Sequence, residues 1–269
     1  MKKIGIIGAG NMGGAIAQAL SSENDWQVSI FDPDSAKTGS LHGCKLARSM
    51  EELVLSEDLL LLAVKPQVLP SLYPILRKAG SGQKRWISIA AGVSLETLTE
   101  NLGTGEVVRF MPNLAAQVRQ SVTAVTPSPK ASASLKEKAL LVAELFGSAF
   151  ILPEDQIAAF TGISGSAIAY VFQFFHALAM GGVAEGLPYP QALAIARDTC
   201  LSAAALQKRD SANPVALATM VCSAGGTTIE GMKALANGNF DATVMAAVTA
   251  SSAKFRLLEE KAKQNGKQH

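Results

Sequence analysis

The 269 residues of the chain suffice for one large domain or two modest ones, and for a sizeable buried core. Hydrophobic residues make up 48% of the sequence but aromatic residues only 6%, a mixture that favours helices packed through small side chains. The 24 Lys and Arg residues nearly balance the 22 Asp and Glu residues. The resulting net charge of +2 argues against a nucleic-acid groove or a polybasic membrane patch.

The cysteines and the first residues bear on the compartment. Cys44, Cys200 and Cys222 are too few and too far apart to indicate a disulfide framework or a zinc site, and no metal site is predicted. The first apolar run is broken by Gly8 within a few residues, which argues against a signal peptide. No stretch is expected to reach the roughly 18 apolar residues that a membrane span needs. We therefore expect a soluble, cytoplasmic protein with no membrane or nucleic-acid partner.

Strand and helix patterns alternate through the first half of the chain. A buried strand is predicted over Lys3–Ile7, a helix over Asn11–Leu20, and a helix over Leu95–Leu102 with Ser94 as its N-cap. Further short apolar runs predict strands over Gln27–Phe31, Asp58–Val64, Trp86–Ala91, Val107–Met111, Ser121–Thr126 and Ala149–Leu152. This alternation predicts an α/β fold with a Rossmann-like, doubly wound parallel sheet, the last two strands extending its edge.

The pattern changes after Pro153, where the alternation typical of strands disappears. Helices are predicted over Ile157–Gly181, Pro190–Leu206, Pro214–Val221, Thr228–Ala236 and Asp241–Lys263. We therefore expect a domain boundary near residue 153, between an α/β domain over residues 1–153 and an all-helical domain over residues 154–269.

The predicted helix over Ile157–Gly181 is apolar on every side, whereas a surface helix should show a polar face. Two interpretations stay open: a central core helix of one subunit, or a helix buried between subunits. In either case its role is expected to be structural. His176 lies within this helix and is expected to be a core histidine with its hydrogen bonds satisfied rather than a catalytic base.

A glycine turn joins the first strand to the first helix. Gly8 permits the tight turn, Gly10 lets the backbone approach a pyrophosphate, and Gly13 lets the helix pack closely on the strand. The helix N-terminus then offers amide donors and a partial positive charge to the phosphates. The predicted cofactor-binding residues of this turn are Gly8, Ala9, Gly10, Asn11, Met12 and Gly13.

An acidic residue about 20 positions after such a turn holds the ribose hydroxyls in many NAD-dependent enzymes. Asp32, at the end of the second predicted strand, occupies that place. The alternative is that Asp32 only begins a turn with Pro33. Lys37 is close enough in sequence to meet a 2′-phosphate, so the choice between NAD and NADP is left unresolved.

Four later segments carry a family resemblance: Ala63–Gln67 (AVKPQ), Arg109–Asn113 (RFMPN), Thr161–Ser166 (TGISGS) and Ser223–Gly231 (SAGGTTIEG). Together with the glycine turn they resemble pyrroline-5-carboxylate reductases over essentially the whole chain. The Ser223–Thr228 helix start is the most specific of these motifs. The resemblance implies NADPH- or NADH-dependent reduction of 1-pyrroline-5-carboxylate to proline by a homodimer that can assemble further. It also implies dinucleotide binding by the domain over residues 1–153, and substrate binding and dimerisation by the all-helical domain over residues 154–269.

Residue roles follow from the same resemblance. The helix start at Gly225–Thr228 offers unhindered N–H groups for a small carboxylate. The family uses this segment for the substrate, and the hydroxyl at Thr228 contacts the ring nitrogen, which makes Thr228 the predicted catalytic residue. The predicted substrate-binding residues are Ser166, Ser223, Gly225, Gly226, Thr227 and Thr228, and the remaining predicted cofactor contacts are Ala63, Val64, Lys65, Pro66 and Asn113.

The sequence departs from the family near the predicted substrate site. Ala167 and Ile168 stand where the family has Gly and Pro, Ala224 replaces a Pro, and Thr219 replaces an Asp. These changes leave two alternatives open. The chain could reduce another cyclic imine, or it could be a non-enzymatic dinucleotide-binding redox sensor.

Overall fold

The computed structural model describes residues 1–210 and 213–266. The chain forms two compact units: the first contains Met1–Gly165 and the segment from Ala250 onward, and the second contains Ser166–Thr249. The domain predicted over 154–269 includes positions 211–212 and 267–269, which lie outside the described residues. The boundary predicted after residue 153 follows the last strand, whereas the units divide after Gly165. The predicted division of roles therefore stays a prediction.

The first unit contains an eight-stranded sheet in the order β3-β2-β1-β4-β5-β6-β7-β8. Its strands are β1 Lys2–Ile7, β2 Trp26–Phe31, β3 Cys44–Leu46, β4 Leu59–Leu62, β5 Arg85–Ser88, β6 Val107–Met111, β7 Ser121–Pro127 and β8 Gly147–Ile151. The strands from β3 to β6 are parallel, β7 is antiparallel to β6, and β8 is parallel to β7. The link from β6 to β7 holds only a short 3-10 helix, too short for a parallel crossover. The predicted fold class is confirmed.

Helices follow most of the strands of the first unit. They are α1 Asn11–Ser21, α2 Ser35–Thr38, α3 Met50–Ser56, α4 Leu69–Lys78, α5 Leu95–Leu102, α6 Ala133–Glu144 and α7 Ile157–Phe160. The prediction for α5 is confirmed with its cap, because the Ser94 hydroxyl accepts from the Thr97 N–H at 3.2 Å. The short strand β3 was not predicted.

The core of this unit lies on both faces of the sheet, which is why its strands are nearly continuous apolar runs. Alternate residues of one strand point to opposite faces. In β4, Leu59 and Leu61 join the cluster that contains Ile16 and Leu20 of α1. Leu60 and Leu62 of the same strand join the opposite cluster, with Leu53, Leu76, Trp86 and Leu98. Helices on both faces bury these side chains, as a doubly wound sheet requires.

Arg109 of β6 is a fully buried cation in the first unit. Its guanidinium donates to Glu154 at 2.9 Å and to Glu259 at 2.7 Å. Glu154 also accepts from the Leu95 N–H at 2.7 Å, at the start of α5. The buried charge is thus compensated on two sides, as burial requires. The ion pairs connect the sheet to the segment after β8 and to the end of the last helix.

The second unit is helical. It contains α8 Ala167–Ala184, α9 Tyr189–Asp210, α10 Pro214–Val221, α11 Thr227–Asn237 and the first part of α12 Phe240–Gly266, whose remainder belongs to the first unit. The last four helices confirm the predicted segments within a few residues at each end. The helix predicted to begin at Ile157 is divided, since α7 and a π-helix over Thr161–Gly165 precede α8. No strand follows β8 in the described part of the chain.

The long apolar helix is mostly exposed in this chain, which corrects two expectations. Among the described residues of α8 only Ala179 is buried, so the core-helix interpretation for a single subunit is wrong. His176 is exposed as well, and its Nδ1 lies 3.1 Å from the Tyr189 hydroxyl. A pattern that is apolar all round shows that a helix is to be covered, but it does not show which surface covers it.

The expectation that no stretch is long and apolar enough to cross a membrane is also wrong. The segment Glu154–Ala184 is helical over 31 residues, with a mean hydropathy of 1.5 in its most apolar window. Gly162, Gly165 and the neighbouring polar residues do not interrupt it, because Thr161–Gly165 continues as a π-helix between α7 and α8. Length and composition alone would therefore permit a membrane span.

Candidate active site

The glycine turn between β1 and α1 is shaped by close contacts within the chain. Gly8 has φ +104°, a left-handed conformation that favours glycine, and a Cβ there would lie 2.6 Å from the Ala63 carbonyl oxygen. A Cβ on Gly13 would overlap the carbonyl oxygen of Gly8 and lie 2.9 Å from the Ala63 Cβ. Both glycines therefore permit the turn and the close packing of α1, as predicted from their spacing.

Gly10 differs from these two glycines, because a Cβ built there meets no atom within 4 Å. Gly10 is the N-cap of α1 and has no side chain to cap the helix. The first N–H groups of a helix have no partners within it. Bare amides, the positive end of the helix dipole and open space beside Gly10 together suit the pyrophosphate of a dinucleotide. Asn11 is exposed and Met12 is half-buried at this helix start.

Asp32 follows β2 and contacts the glycine turn directly. Its Oδ2 accepts from the Ala9 N–H at 2.8 Å, and its Oδ1 accepts from the Asp34 N–H at 2.9 Å. The second bond closes a tight turn across Pro33, so Asp32 does begin a turn, as one interpretation held. The first bond places the carboxylate beside the glycine turn, and its predicted contact with the ribose hydroxyls stays a prediction. The two interpretations are compatible.

Arg48 is a neighbour of this region that the sequence patterns do not reveal. It lies two residues beyond β3, which pairs in parallel with β2 through Ile30 and Leu46. Its side chain is exposed, and its backbone N–H donates to Glu52 at 2.8 Å. The strand that places it here has only three residues, one of them a lysine, and therefore gives almost no periodic signal.

The segment after β4 lies against the glycine turn. A Cβ on Gly8 would meet the backbone of Ala63 and the side chain of Val64. Lys65 has an exposed side chain, and its carbonyl accepts from the Val68 N–H at 2.9 Å, while Pro66 begins a 3-10 helix. The predicted contacts Ala63–Pro66 are thus at the carboxyl edge of the sheet, beside the turn. Their contact with a cofactor stays a prediction.

Asn113 is buried just after β6 and is held on several sides. Its side-chain oxygen accepts from the N–H groups of Ala115 at 3.2 Å and Val122 at 3.3 Å. Its amide donates to the Ser164 hydroxyl at 3.3 Å, and Ser164 in turn donates to the Val122 carbonyl at 3.2 Å. Ser164 belongs to the π-helix, a feature that often marks functional sites. These bonds give Asn113 a positioning role that sequence reasoning missed. Its contact with a cofactor stays a prediction.

The predicted substrate residues lie in the second unit. Gly225 has φ +68°, and Gly226 is the N-cap of α11 without a side-chain cap. The Gly226 N–H donates to the Ser223 carbonyl at 3.0 Å, and a Cβ on Gly226 would lie 2.7 Å from the Ser223 hydroxyl. The segment thus forms a tight glycine turn that opens a helix of 11 residues.

The two threonines differ in exposure at this helix start: Thr227 is exposed and Thr228 is half-buried. Ser166 lies immediately before α8 and is half-buried. The structure therefore brings Ser223, Gly225, Gly226, Thr227 and Thr228 together, and it places Ser166 at the start of another helix of the same unit. An uncapped helix N-terminus beside two hydroxyls can bind a small anion.

Comparison with known proteins gives a consistent family. The family described as pyrroline-5-carboxylate reductase dimerisation matches residues 154–258, and the one described as NADP oxidoreductase coenzyme F420-dependent matches residues 3–92. A pyrroline-5-carboxylate reductase of Methanosarcina acetivorans is 36% identical over 267 residues, covering 97% of this chain and 99% of the relative.

Solved structures agree with the sequence relatives. The pyrroline-5-carboxylate reductase of Streptococcus pyogenes superposes with a TM-score of 0.81 at 34% identity, over 94% of this chain and 97% of the other. The Plasmodium falciparum enzyme, solved with NADP bound, gives a TM-score of 0.84 at 25% identity, over 96% and 98% of the two chains. The chain belongs to the pyrroline-5-carboxylate reductase family.

Proposed function

We propose that this protein reduces 1-pyrroline-5-carboxylate to L-proline with NADH or NADPH. The observation that carries the proposal is the likeness over nearly the full length to relatives named for that reaction. Two features of the structure support it: the glycine turn Gly8–Gly13, which suits a dinucleotide, and the uncapped helix start at Gly226, which suits a small carboxylate.

The reaction depends more on the orientation of the imine than on proton transfer from a side chain. A dinucleotide held at Gly8–Gly13 would supply a hydride to the carbon of a protonated C=N bond. The electron pair of that bond moves to nitrogen and leaves a neutral amine, so no acid is needed to quench an alkoxide. No Lys occurs between Lys138 and Lys208, the region where related hydroxyacid dehydrogenases carry a catalytic lysine. Holding the imine carbon at the right distance and angle can supply most of the rate enhancement.

Each predicted residue then has a defined task. The backbone N–H groups at Gly225–Thr228 bind the substrate carboxylate, with Ser166 and Ser223 at the edge of the site. The Thr228 hydroxyl contacts the ring nitrogen and fixes the orientation of the imine. Gly8–Gly13 hold the pyrophosphate, and Ala63–Pro66 line the dinucleotide beside them. Asn113 fixes the end of β6 against the π-helix.

The exposed apolar helices of the second unit support a homodimer. Large side chains such as Phe172, Leu201 and Met220 are exposed in one chain, and the matching family model is described as a dimerisation region. We place a second copy of this chain, rather than lipid, on the segment Glu154–Ala184. We therefore propose that the protein is a cytoplasmic homo-oligomer, with no membrane or nucleic-acid partner.

The test measures the loss of reduced-nicotinamide absorbance with 1-pyrroline-5-carboxylate, for the wild type and two variants. Thr228→Ala should lower kcat/KM about tenfold to a hundredfold, because a hydrogen bond to the reacting imine is lost. Thr228→Ser keeps the hydroxyl and should recover most of that loss. Cofactor affinity, measured by calorimetry, should be the same in all three proteins.

The alternatives give different results in the same assay. Unchanged kinetics in Thr228→Ala would remove Thr228 from the reaction. Turnover with other cyclic imines but not with pyrroline-5-carboxylate would favour a different substrate, in line with the altered residues Ala167, Ile168, Thr219 and Ala224. Tight cofactor binding without turnover of any imine would favour a redox sensor.

A further inference from the structure

We propose that the turn after β2 makes this chain prefer NADH to NADPH, with Asp32 as the specificity-determining residue. The proposal rests on the proposed function only in requiring that a dinucleotide binds at the glycine turn. It concerns the ribose that carries a free 2′-hydroxyl in NADH and a 2′-phosphate in NADPH.

The position of Asp32 relative to the glycine turn is fixed by the sheet. Ile7 and Phe31 pair at the ends of β1 and β2, and the Gly8 N–H donates to the Phe31 carbonyl at 2.8 Å. One residue further on each strand, the Asp32 carboxylate accepts from the Ala9 N–H at 2.8 Å. A pyrophosphate on the α1 N-terminus places the adjoining adenosine ribose at the end of β2, which is where this carboxylate lies.

The Asp32 carboxylate can accept hydrogen bonds from ribose hydroxyls, whereas it repels a phosphate. Its two oxygens each accept one backbone N–H, and each has a further lone pair for another donor. Only 8% of the side chain is exposed, so its orientation is fixed. A ribose 2′-hydroxyl can donate to it. A 2′-phosphate instead brings acceptor oxygens and about two negative charges, by analogy with phosphorylated side chains.

The surrounding charges strengthen this discrimination. Asp34, two residues on, adds a second carboxylate whose Oδ1 caps α2 through the Ala36 N–H. The ammonium of Lys37 lies 3.6 Å from Asp32 and 3.5 Å from Asp34, so its charge is shared between both carboxylates. Pro33, between the two acids, has no N–H and no polar side chain to offer a phosphate. The turn therefore carries two negative charges against one positive charge.

Arg48 is the cation that could reverse this balance. Its exposed side chain follows β3, the neighbour of β2. An arginine can pair with a phosphate through two parallel hydrogen bonds. Recruitment of Arg48 would require the 2′-phosphate to lie away from Asp32, and this is the arrangement that the experiment must exclude.

The experiment measures cofactor binding without any imine, so that it does not depend on turnover. Calorimetric titration of the full-length protein with NADH and NADPH should give a dissociation constant about tenfold or more larger for NADPH at low salt. The fragments 5′-AMP and 2′,5′-ADP should show the same order, which locates the difference at the adenosine ribose. The ratio should decrease modestly as salt is added, because screening weakens repulsion from the exposed Asp34 more than repulsion from the nearly buried Asp32.

Two isosteric variants and one control assign the effect. Asp32→Asn keeps a side-chain oxygen for the turn but loses the charge, and should reduce the preference to about twofold. Asp34→Asn should weaken it by a smaller factor and can cap α2 as Asp does. Asp58→Asn removes an exposed carboxylate before β4, at the opposite edge of the sheet, and should leave the ratio unchanged.

Equal or tighter binding of NADPH by the wild type would overturn the proposal. So would an unchanged ratio in both Asp32→Asn and Asp34→Asn with the fold intact by circular dichroism. If Arg48→Ala then selectively lost NADPH, the phosphate would be assigned to Arg48. Failure of the proposed function would instead appear as cofactor binding with the expected preference but no turnover of pyrroline-5-carboxylate.

Discussion

The two compact units treat their apolar side chains in opposite ways. In the first unit, Leu60 and Leu61 of β4 are fully buried on opposite faces of the sheet, because helices of the same chain cover both faces. Among the described residues of the second unit, the buried side chains are those of the alanines Ala179, Ala192 and Ala196. Larger apolar residues point outward there. The core of the first unit is complete within one chain, whereas that of the second needs another surface.

The largest effect should come from charging the uncovered surface. Phe172 on α8 is 59% exposed in the single chain, so Phe172→Asp would cost little if the surface stayed in water. If a second copy covers it, each dimer buries two unpaired carboxylates. We expect the dimer dissociation constant to rise about a hundredfold or more, which corresponds to about 3 kcal/mol. Light scattering at a series of concentrations measures the change.

Leu55→Asp is the matched control for that substitution. Leu55 on α3 of the first unit is 70% exposed, so the two sites differ little in exposure within one chain. This variant should keep the wild-type mass. A monomeric wild type, or the same response in both variants, would contradict the assignment of the second unit to an interface.

A smaller effect is expected in the glycine turn, where contacts within the first unit decide whether an added side chain can be accommodated. A Cβ on Gly13 would overlap the Gly8 carbonyl oxygen, a backbone atom that cannot move without opening the turn. Gly13→Ala should lower the free energy of unfolding by about 2 kcal/mol, as overpacking typically does. Urea unfolding of the purified variant measures this loss.

Two neighbouring glycines make the comparison specific. A Cβ on Gly14 would lie 3.5 Å from the nearest atom, so Gly14→Ala should be neutral or should stabilise the helix by up to about 1 kcal/mol. Gly10→Val should cost at most about 1 kcal/mol of unfolding free energy, since a Cβ there meets no protein atom within 4 Å and valine is a poorer N-cap than glycine, but it should abolish dinucleotide binding. Equal destabilisation by all three substitutions would contradict the claim that the close contacts of Gly13 determine the stability of the turn.

Much of the fold could be predicted because strong local patterns agree with it. The strand Val107–Met111 and the helix Pro214–Val221 have the bounds predicted, since apolar residues fill one and Asn213 with Pro214 marks the start of the other. The strand Cys44–Leu46 could not be predicted from three residues with one lysine among them. The cover of α8 could not be predicted because an apolar pattern carries no information on the partner surface.

The candidate site divides in the same way. The glycine roles follow from local backbone chemistry, and the structure shows the contacts that Gly8 and Gly13 require. The hydrogen bonds of Asn113 with Val122 and Ser164 span 9 and 51 positions of the sequence, so the periodicity of a single helix or strand could not reveal them. The π-helix at Thr161–Gly165 was equally hidden, because its residues fit an ordinary helical pattern.

The smallest effect compares one tyrosine hydroxyl in each unit. Burial raises the pKa of Tyr73 to about 12, and among the described residues its hydroxyl has no hydrogen-bond partner. Tyr73→Phe should therefore change the stability by no more than about 1 kcal/mol at neutral pH. The Tyr170 hydroxyl donates to the Ala247 carbonyl at 3.2 Å, so Tyr170→Phe should cost about 1 kcal/mol in the second unit.

Measurements at alkaline pH isolate the effect of the Tyr73 hydroxyl on the free energy of unfolding. A pKa raised in the folded state means that the native protein keeps its proton while the unfolded chain, with a pKa near 10.0, has begun to lose it. The stabilisation is complete below pH 10 and is lost as the pH rises through the folded value of about 12. Urea unfolding across this window should show a decline of up to about 2 kcal/mol in the wild type. That decline should be smaller in Tyr73→Phe, and an identical decline in both proteins would mean that the hydroxyl is not buried as described.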